Sequence, residues 1–291
     1  MYLLTQMLNG LGAGSIYALI ALGYSMVYGV VKLINFAHGD IIMIGSYVIF
    51  LTMGANQPLW MAVFASIAFS ALAGVVIELV AYRRLLASGA PRIALLITAI
   101  GASIFLQNLA QLVFGANQKS MPRMFALPSV IIGDMNVSNT LLNITVALAM
   151  MTFLQILVHV TKTGKAMRAT SEDAGAAQLM GININRIIVF TFAVGSALAA
   201  VGAVLYTNTY MQIKPLMGSM LGLKAFVAAV FGGIGSIPGA MLGGLLLGLA
   251  ESLSVVAGQS LWMDAAVFAL LILILLVRPS GLLGRNLKEK V

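Results

Sequence analysis

The sequence predicts an all-α membrane protein with about eight or nine transmembrane helices, some of them broken. Three observations lead to this fold class. The chain of 291 residues is 61% hydrophobic, only 8% of it is charged, and its mean hydropathy is +1.04. Soluble proteins have about 25% charged residues, and a chain so poor in charge could not keep its apolar side chains from water. The apolar runs are continuous rather than alternating, which argues against a β-barrel.

Eight apolar runs are long enough to cross a bilayer core, which needs about 20 helical residues. They lie at about 7–30, 39–56, 59–81, 93–114, 140–160, 187–209, 237–257 and 261–277. A shorter run lies at about 219–232. No basic residue precedes Lys32, so the first run lacks the positive start of a cleaved signal peptide, and we expect it to be a retained span.

The basic residues of the connections predict the orientation of the chain. They gather in the 82–92 loop, the 161–186 loop and the C-terminal segment: Arg83, Arg84 and Arg92; Lys162, Lys165, Arg168 and Arg186; Arg278, Arg285, Lys288 and Lys290. Basic loops stay on the cytoplasmic side, so we expect the N-terminus outside and the C-terminus inside. That orientation requires an odd number of crossings, so the short run 219–232 should also cross, which gives nine.

Two segments have the composition of interrupted helices, KLINFAHGD at 32–40 and FGGIGSIPG at 231–239. Paired interruptions in the two halves of a chain indicate an internal repeat and a transport path. Glycines also recur four residues apart in the first span and after the second break. Close helix packing explains this spacing, and a glycine face that lines a pore is the alternative.

The stretch at 161–186 has the pattern of a short helix rather than of a tether. Thr170 followed by Asp173 has the spacing of a capping box, and Glu172 would add an acid near the positive end of the helix. Gly181 is a typical helix end. We therefore predict one helix of about ten residues over 170–181. Its alanines, including Ala176 and Ala177, favour either packing on the membrane or the bundle, or docking to a soluble partner.

Polar residues within the apolar runs are the candidates for a translocation path or gate. Asn35, His38 and Asp40 lie in the first break. We expect Asp40 near the cytoplasmic end of the second span, as a helix cap, with a place at the mouth of a path and proton coupling as alternatives. On the fourth span Ser103, Gln107 and Gln111 are spaced four apart, and they would pair across helices or line a wet path.

Two further acids fall in or near spans. Glu78 lies close to Arg83 and Arg84 in sequence, which predicts an interfacial ion pair. For Glu251 the sequence leaves open whether it caps a helix or faces a partner permease.

The composition also argues against several kinds of chemistry. Without cysteine and with two histidines, the chain has no recognisable metal-ligand spacing and no disulfide framework. Thr163-Gly164-Lys165-Ala166 has Ala where a P-loop needs Ser or Thr and lacks the earlier Gly, which argues against an ATP site of the P-loop type. The net charge of +8 reflects topology rather than nucleic-acid binding. Few ionisable residues at depth favour a net-neutral solute, such as an amino acid zwitterion.

Four stretches together resemble the LivH-type permeases of branched-chain amino acid ABC importers. They are GSIYALIALGYSMVYGVVKLINFAHGDIIMIGSYV (14–48), IALLITAIGASIFLQN (93–108), GLKAFVAAVFGGIGSIPGAMLGGLLLGLAESL (222–253) and LLVRPSGLLGR (275–285). GAAQLMGI at 175–182 resembles the EAA-type loop of importer permeases, although Gly175 stands where that loop usually has Glu.

The resemblance implies a single permease domain over 1–291 in the bacterial inner membrane, with branched-chain amino acids as cargo. It makes 161–186 a cytoplasmic coupling loop in which Thr170, Glu172, Asp173, Ala176, Ala177 and Gly181 contact an ATPase. The implied partners are a second related permease, two cytoplasmic ATPases, a periplasmic binding protein and membrane lipid. The permease would need no cofactor, since the ATPases use the ATP. Two alternatives stay open: a self-contained secondary transporter or channel for a small neutral solute, and a membrane scaffold.

Overall fold

The structure is a computed structural model that describes residues 2–125, 127–132 and 135–284. In chain order its helices are α1 (Tyr2–Val31), α2 (His38–Gly54), α3 (Leu59–Ile77), α4 (Arg83–Ala87), α5 (Arg92–Phe114), α6 (Ser138–Val160), α7 (Lys162–Glu172), α8 (Ala174–Leu179), α9 (Ile184–Tyr210), α10 (Met217–Gly232), α11 (Ile237–Val256) and α12 (Met263–Val277). A π-helical turn, Glu78–Tyr82, joins α3 to α4, and a 3-10 turn, Ser260–Trp262, precedes α12. The basic residues Arg285, Lys288 and Lys290 lie outside the described residues.

All nine predicted apolar runs are helical, and their ends agree with the prediction to within a few residues. In the described part of the chain, seven helical segments are long and apolar enough to cross a membrane. The other two, α2 and α10, are apolar helices of 17 and 16 residues. The predicted all-α membrane fold is therefore confirmed, while the internal repeat stays a prediction.

Four very short strands were not predicted. β1 (Lys119–Ser120) pairs antiparallel with β4 (Gln212–Ile213), and β2 (Ile131–Ile132) pairs antiparallel with β3 (Met135–Asn136). Each strand has two residues, which is too few to show the period of two that identifies a strand in a sequence. They join connections between helices, and Ile213 of β4 packs into the hydrophobic core.

The first helix lies at the centre of the bundle. Every residue of α1 from Gly14 to Val27 is buried, and α1 packs against α6, α9, α10 and α11. In contrast, Val267 is the buried residue of α12, and Phe268 and Leu271 are partly buried against the core. Ile272, Leu273 and Leu276 are exposed, as on the outer side of a lipid-facing helix.

Helices α1 and α11 touch through their backbones. A Cβ on Gly14 would lie 2.8 Å from the carbonyl oxygen of Gly244, and a Cβ on Gly244 would collide with Ala18. Dispersion contacts between closely packed backbones help to hold helices together in lipid. The packing explanation of the glycine spacing is thus confirmed at this crossing.

The break predicted at 231–239 lies between α10 and α11. Gly233 and Gly235 have φ angles of 107° and 90°, which residues with a Cβ rarely adopt. The Ser236 Oγ accepts the N–H of Gly239 at 3.2 Å and so caps the start of α11. The N–H of Leu283 donates to the carbonyl of α10's last residue at 2.8 Å, so the C-terminal segment closes the end of α10.

The basic connections lie at one end of the bundle. Arg83 and Arg186 line a common pocket. At the end of α1 Gly29 approaches Gly235, and close by Gly284 of the C-terminal segment lies against Gly233. We call this end the basic face, and the end where β1 pairs with β4 the opposite face. Which of the two faces is cytoplasmic stays a prediction.

The predicted single helix over 170–181 is wrong in its start. Residues 162–179 form two helices that break at Asp173. Thr170 lies in the last turn of α7, where its Oγ1 donates to the carbonyl of Ala166 at 2.8 Å, so it caps nothing. Glu172 ends α7 rather than starting a helix. Thr161 caps α7 by accepting the N–H of Gly164 at 3.0 Å.

The predicted end of this region is confirmed. Gly181 has a φ of 84°, and its N–H donates to the carbonyl of Gln178 at 3.0 Å. The next N–H, that of Ile182, donates to the carbonyl of Ala177 at 3.1 Å. These two bonds form a Schellman motif, in which glycine tolerates the left-handed backbone that ends the helix.

Candidate functional site

The connection from α1 to α2 carries polar side chains into the middle of the bundle. α1 ends at Val31, and Lys32 has a φ of 58°, which turns the chain back. Residues 33–37 are not helical, and five such residues can span about 17 Å. They bring His38 to the level of Gly23, where a Cβ would lie 2.5 Å from the His38 Nε2. The predicted break at 32–40 is therefore present.

Asn35 fixes this connection from both sides. Its Oδ1 accepts the backbone N–H of Ala37 at 3.1 Å and the hydroxyl of Tyr82 at 3.0 Å. Tyr82 is fully buried and ends the π-helical turn after α3. π-Helical turns within α-helices are frequent at functional sites. This turn aims Tyr82 at the α1–α2 connection.

His38 and Gly39 press α2 against its neighbours. The rings of His38 and Tyr24 meet edge to face, with centroids 4.6 Å apart. At Gly39 the backbone approaches α10 so closely that a Cβ would lie 2.8 Å from the Cα of Gly222. The start of α2 is thus wedged between α1 and α10.

Asp40 pairs with the polar residues predicted on the fourth span. Its Oδ1 accepts a hydrogen bond from Gln107 Nε2 at 3.0 Å, and the same nitrogen donates to Ser103 Oγ at 3.0 Å. Asp40 itself is fully buried. The structure therefore brings together the two sets of polar residues that were predicted separately, and we call Asn35, His38, Asp40, Tyr82, Ser103 and Gln107 the α2 polar cluster.

Gln111, the remaining predicted member, is not part of this cluster. It lies one turn beyond Gln107 on α5, and its side chain makes no hydrogen bond to any residue that the structure describes. Close by, an apolar pocket of about 180 Å³ lies between α2 and α5, with Tyr47 stacked on Phe114 at 4.1 Å between ring centroids.

The expected position of Asp40 at the end of the bundle is wrong. Its partner Gln107 lies fifteen residues beyond Arg92, the first residue of α5, which is about 22 Å along the helix axis. Only seven residues separate Gln107 from Phe114, the last residue of α5. Asp40 therefore lies deep in the bundle, because the non-helical residues 33–37 carry the start of α2 inward from the basic face.

Three buried polar atoms of the cluster have unused hydrogen-bonding capacity. The Asn35 Nδ2, the His38 Nε2 and the Asp40 Oδ2 have no hydrogen-bond partner among the described residues. Buried polar atoms are nearly always paired, and an unpaired one is an indication of function or of unseen water. All three are enclosed, so a solute could reach them only if the surrounding helices moved apart.

The loop region offers a different kind of surface. Asp173 caps α8, since its Oδ1 accepts the N–H of Ala176 at 3.0 Å. Ala177 is buried and fastens α8 to the bundle, whereas Leu179 and Met180 are 90% and 83% exposed. Two large apolar side chains on a short helix at the basic face form a surface suited to a protein partner. We call Leu179 and Met180 the α8 surface.

Near the opposite face the structure contains an ion cluster, buried at Lys224 and Glu251 and half-exposed at Asp264, that the sequence did not reveal. Lys224 Nζ lies 2.8 Å from Glu251 Oε1 and 2.7 Å from Asp264 Oδ1. Glu251 also accepts the hydroxyl hydrogen of Tyr17 at 3.0 Å. These contacts show how Glu251 is used within this chain. The one available signal was a lysine inside the short apolar run 219–232.

The predicted ion pair of Glu78 is confirmed, and Arg83 rather than Arg84 is its partner. Arg83 Nη2 donates to Glu78 Oε2 at 3.0 Å, and its Nε donates to the other carboxylate oxygen at 3.3 Å. Glu78 is buried, and this forked contact holds the arginine at the basic face. In the described part of the chain no group of three or more His, Cys, Asp or Glu could hold a metal ion.

Comparisons with known proteins agree with this architecture. The family model described as "Branched-chain amino acid transport system / permease component" matches residues 6–276. The LivH permease of a high-affinity branched-chain amino acid transport system in Escherichia coli K12 is 46% identical over 100% of this chain and 98% of its own length. The BraD permease of Pseudomonas aeruginosa is 46% identical over 99% of this chain and 98% of its own.

A more distant relative is similar over most of the chain. A probable LivH permease of Methanocaldococcus jannaschii is 27% identical over 94% of this chain and 90% of its own length. No solved structure gives a significant match to this chain.

Proposed function

The chain belongs to the branched-chain amino acid permease family, and from that premise we propose that it moves branched-chain amino acids through the inner membrane as the permease subunit of an ABC importer. The observation behind this proposal is the likeness over residues 6–276, which covers all the long apolar helices apart from the first four residues of α1 and the last residue of α12. Permeases of this class are transport subunits, and the ATP is hydrolysed by other subunits of the transporter.

For the complete transporter we propose a second related permease, two cytoplasmic ATPases and a periplasmic binding protein. The basic face would then be cytoplasmic, with the N-terminus outside and the C-terminus inside. The charge distribution supports this orientation, because basic connections are retained on the cytoplasmic side. It places α8 where a cytoplasmic ATPase could reach it.

The coupling step would use the α8 surface. Leu179 and Met180 are exposed while Ala177 is buried. A partner can therefore contact the exposed side of α8 while the side that carries Ala177 stays packed on the bundle. α8 leads within a few residues into α9, which packs on α1, α2 and α3. A displacement of α8 by an ATPase would therefore be transmitted to the central helices.

The gate for the solute would include the α2 polar cluster. α2 starts deep in the bundle, and half-helices that start inside a membrane are typical of solute sites in transporters. The unpaired donor atoms of Asn35 and His38 could meet the carboxylate group of an amino acid, while Asp40 keeps its hydrogen bond to Gln107. Because these atoms are enclosed, we assign them to a state that opens during transport.

Reconstitution with and without partners tests this function. Vesicles that contain the full chain with its second permease, ATPases and binding protein should accumulate leucine only when ATP is present. Omission of the ATPases or of the binding protein should reduce uptake to that of protein-free vesicles. Leucine uptake by this chain alone, driven by a proton gradient, would contradict the proposal and favour a self-contained transporter.

A further inference from the structure

A pocket on the basic face is separate from both the α2 polar cluster and the α8 surface. Its volume is about 460 Å³, and it lies between the start of α4 and the first half of α9. Its lining includes Arg83, Asn183, Asn185, Arg186, Val189 and Phe190. We propose that this pocket binds the phosphate group of an anionic phospholipid.

The pocket changes from polar to apolar along α9. Asn183, Asn185 and Arg186 lie at the start of α9 and are exposed. Val189 and Phe190 follow within about one turn and are half-buried. Arg186, Val189 and Phe190 have the three- and four-residue spacing of one helix face. A ligand that satisfies this surface has a polar head at the end of the bundle and an apolar body along its side.

The polar end of the pocket carries positive charge. In the described part of the chain the ion pairs include no acidic partner for Arg186. Arg83 is held in place by Glu78 through two of its nitrogens, and a guanidinium has five N–H donors in all. The positive end of the 27-residue helix α9 opens at the same place and adds to the attraction for an anion.

The apolar neighbourhood favours a lipid over a soluble anion. Val80, on the turn that leads to Arg83, is 74% exposed, and in a membrane-spanning bundle such a side chain faces acyl chains. Guanidinium groups bind phosphates through paired N–H donors. Arginines beside an apolar groove at the end of a membrane span therefore match a phosphodiester with acyl chains attached.

Lipid titration of matched variants tests this inference. The full chain, purified with the subunits that accompany it, is titrated in detergent with phosphatidylglycerol, and bound lipid is counted by native mass spectrometry. The change Arg186→Gln should weaken phosphatidylglycerol binding about fivefold, the effect of about one basic residue at an anionic surface. The control Arg84→Gln removes the same charge from an exposed neighbour outside the pocket and should change binding less than twofold.

Three results would overturn the lipid assignment. Equal weakening by Arg84→Gln and Arg186→Gln would mean that only the overall charge of the face matters. Binding of phosphatidylcholine as tight as that of phosphatidylglycerol would mean that the pocket does not select an anion. Inorganic phosphate serves as the soluble probe, and if it displaced phosphatidylglycerol at equal concentration, the site would be one for free phosphate.

Discussion

Asp40 combines three properties that rarely occur together: it is fully buried, it lies deep in a bundle of apolar helices, and one of its carboxylate oxygens is unpaired among the described residues. Gln107 donates a hydrogen bond to the other oxygen. Charged side chains at such depth are expensive and usually functional. The hydrogen bond to Gln107 is a contact that both a carboxylate and a carboxamide can make.

Asp40→Asn should therefore leave ATP-driven leucine uptake at half or more of the original rate, because an amide oxygen can still accept from Gln107. Asp40→Leu should destabilise the protein by about 1 kcal/mol, since it removes the hydrogen bond between Asp40 and the half-buried Gln107 amide. Thermal unfolding in detergent and uptake by vesicles measure the two effects. Loss of uptake in a normally folded Asp40→Asn variant would show that the charge itself is required.

Lys224 provides a second test at the scale of single residues. Lys224→Met leaves Glu251 buried without its cation, and breaking a buried ion pair costs about 3–5 kcal/mol. The double variant Lys224→Met with Glu251→Gln removes the stranded charge and should regain part of that stability. Thermal unfolding measures the stability of the original protein, the single variant and the double variant. Equal stability of the single and the double variant would contradict this account.

The long-range contacts of individual polar residues could not be predicted from the sequence. Ser103 and Gln107 were predicted as one polar face of α5, and their spacing was sufficient for that. Their contact with Asp40 depends on how far the non-helical residues 33–37 penetrate, which no local pattern records. The partners of Lys224 are likewise distant in sequence, so its burial follows only from the packing of α10 on α11 and α12.

At the scale of elements, the apolar runs predicted the helices well because spanning helices are set by length and hydropathy. The loop region was predicted less well. Both Thr170 and Asp173 are residues that start helices, and the sequence does not show that α7 already extends through Thr170. The observed hydrogen bonds assign the capping of α8 to Asp173 alone.

Substituting Asp173 and Thr170 one at a time tests which of the two residues caps α8. Asp173→Ala should destabilise α8 by about 1 kcal/mol, the usual cost of losing a helix cap, and speed amide exchange in residues 174–179 about fivefold. Thr170→Ala should leave exchange in α8 unchanged, because Thr170 Oγ1 bonds within α7. Hydrogen exchange with mass spectrometry reads both variants, and faster α8 exchange in Thr170→Ala would restore the original capping box.

At the scale of the whole molecule, the predicted direction across the membrane rests on the basic face. The prediction of nine crossings rests on charge and parity, and the described part of the chain has seven helical segments long enough to span and two shorter apolar helices. The orientation itself depends on the basic connections, whose Arg83 and Arg186 meet at one pocket.

The absence of cysteine makes that orientation easy to measure. Leu179→Cys on the basic face and Leu261→Cys on the opposite face introduce single thiols at side chains that are 90% and 97% exposed. In intact cells a membrane-impermeant maleimide that enters the periplasm should label Leu261→Cys and not Leu179→Cys. Inside-out vesicles should give the reverse, and labelling of Leu179→Cys in intact cells would invert the proposed topology.

The most direct test of the account is the number of leucine molecules transported per ATP hydrolysed when the α8 surface is altered. The variant Leu179→Asp with Met180→Asp, assembled with its partner subunits, should lose at least tenfold in this ratio, because α8 no longer offers an apolar contact to an ATPase. Leu261→Asp on the opposite face is the control and should keep the ratio within twofold. An unchanged ratio in the α8 variant would contradict the claim that α8 couples ATP hydrolysis to transport.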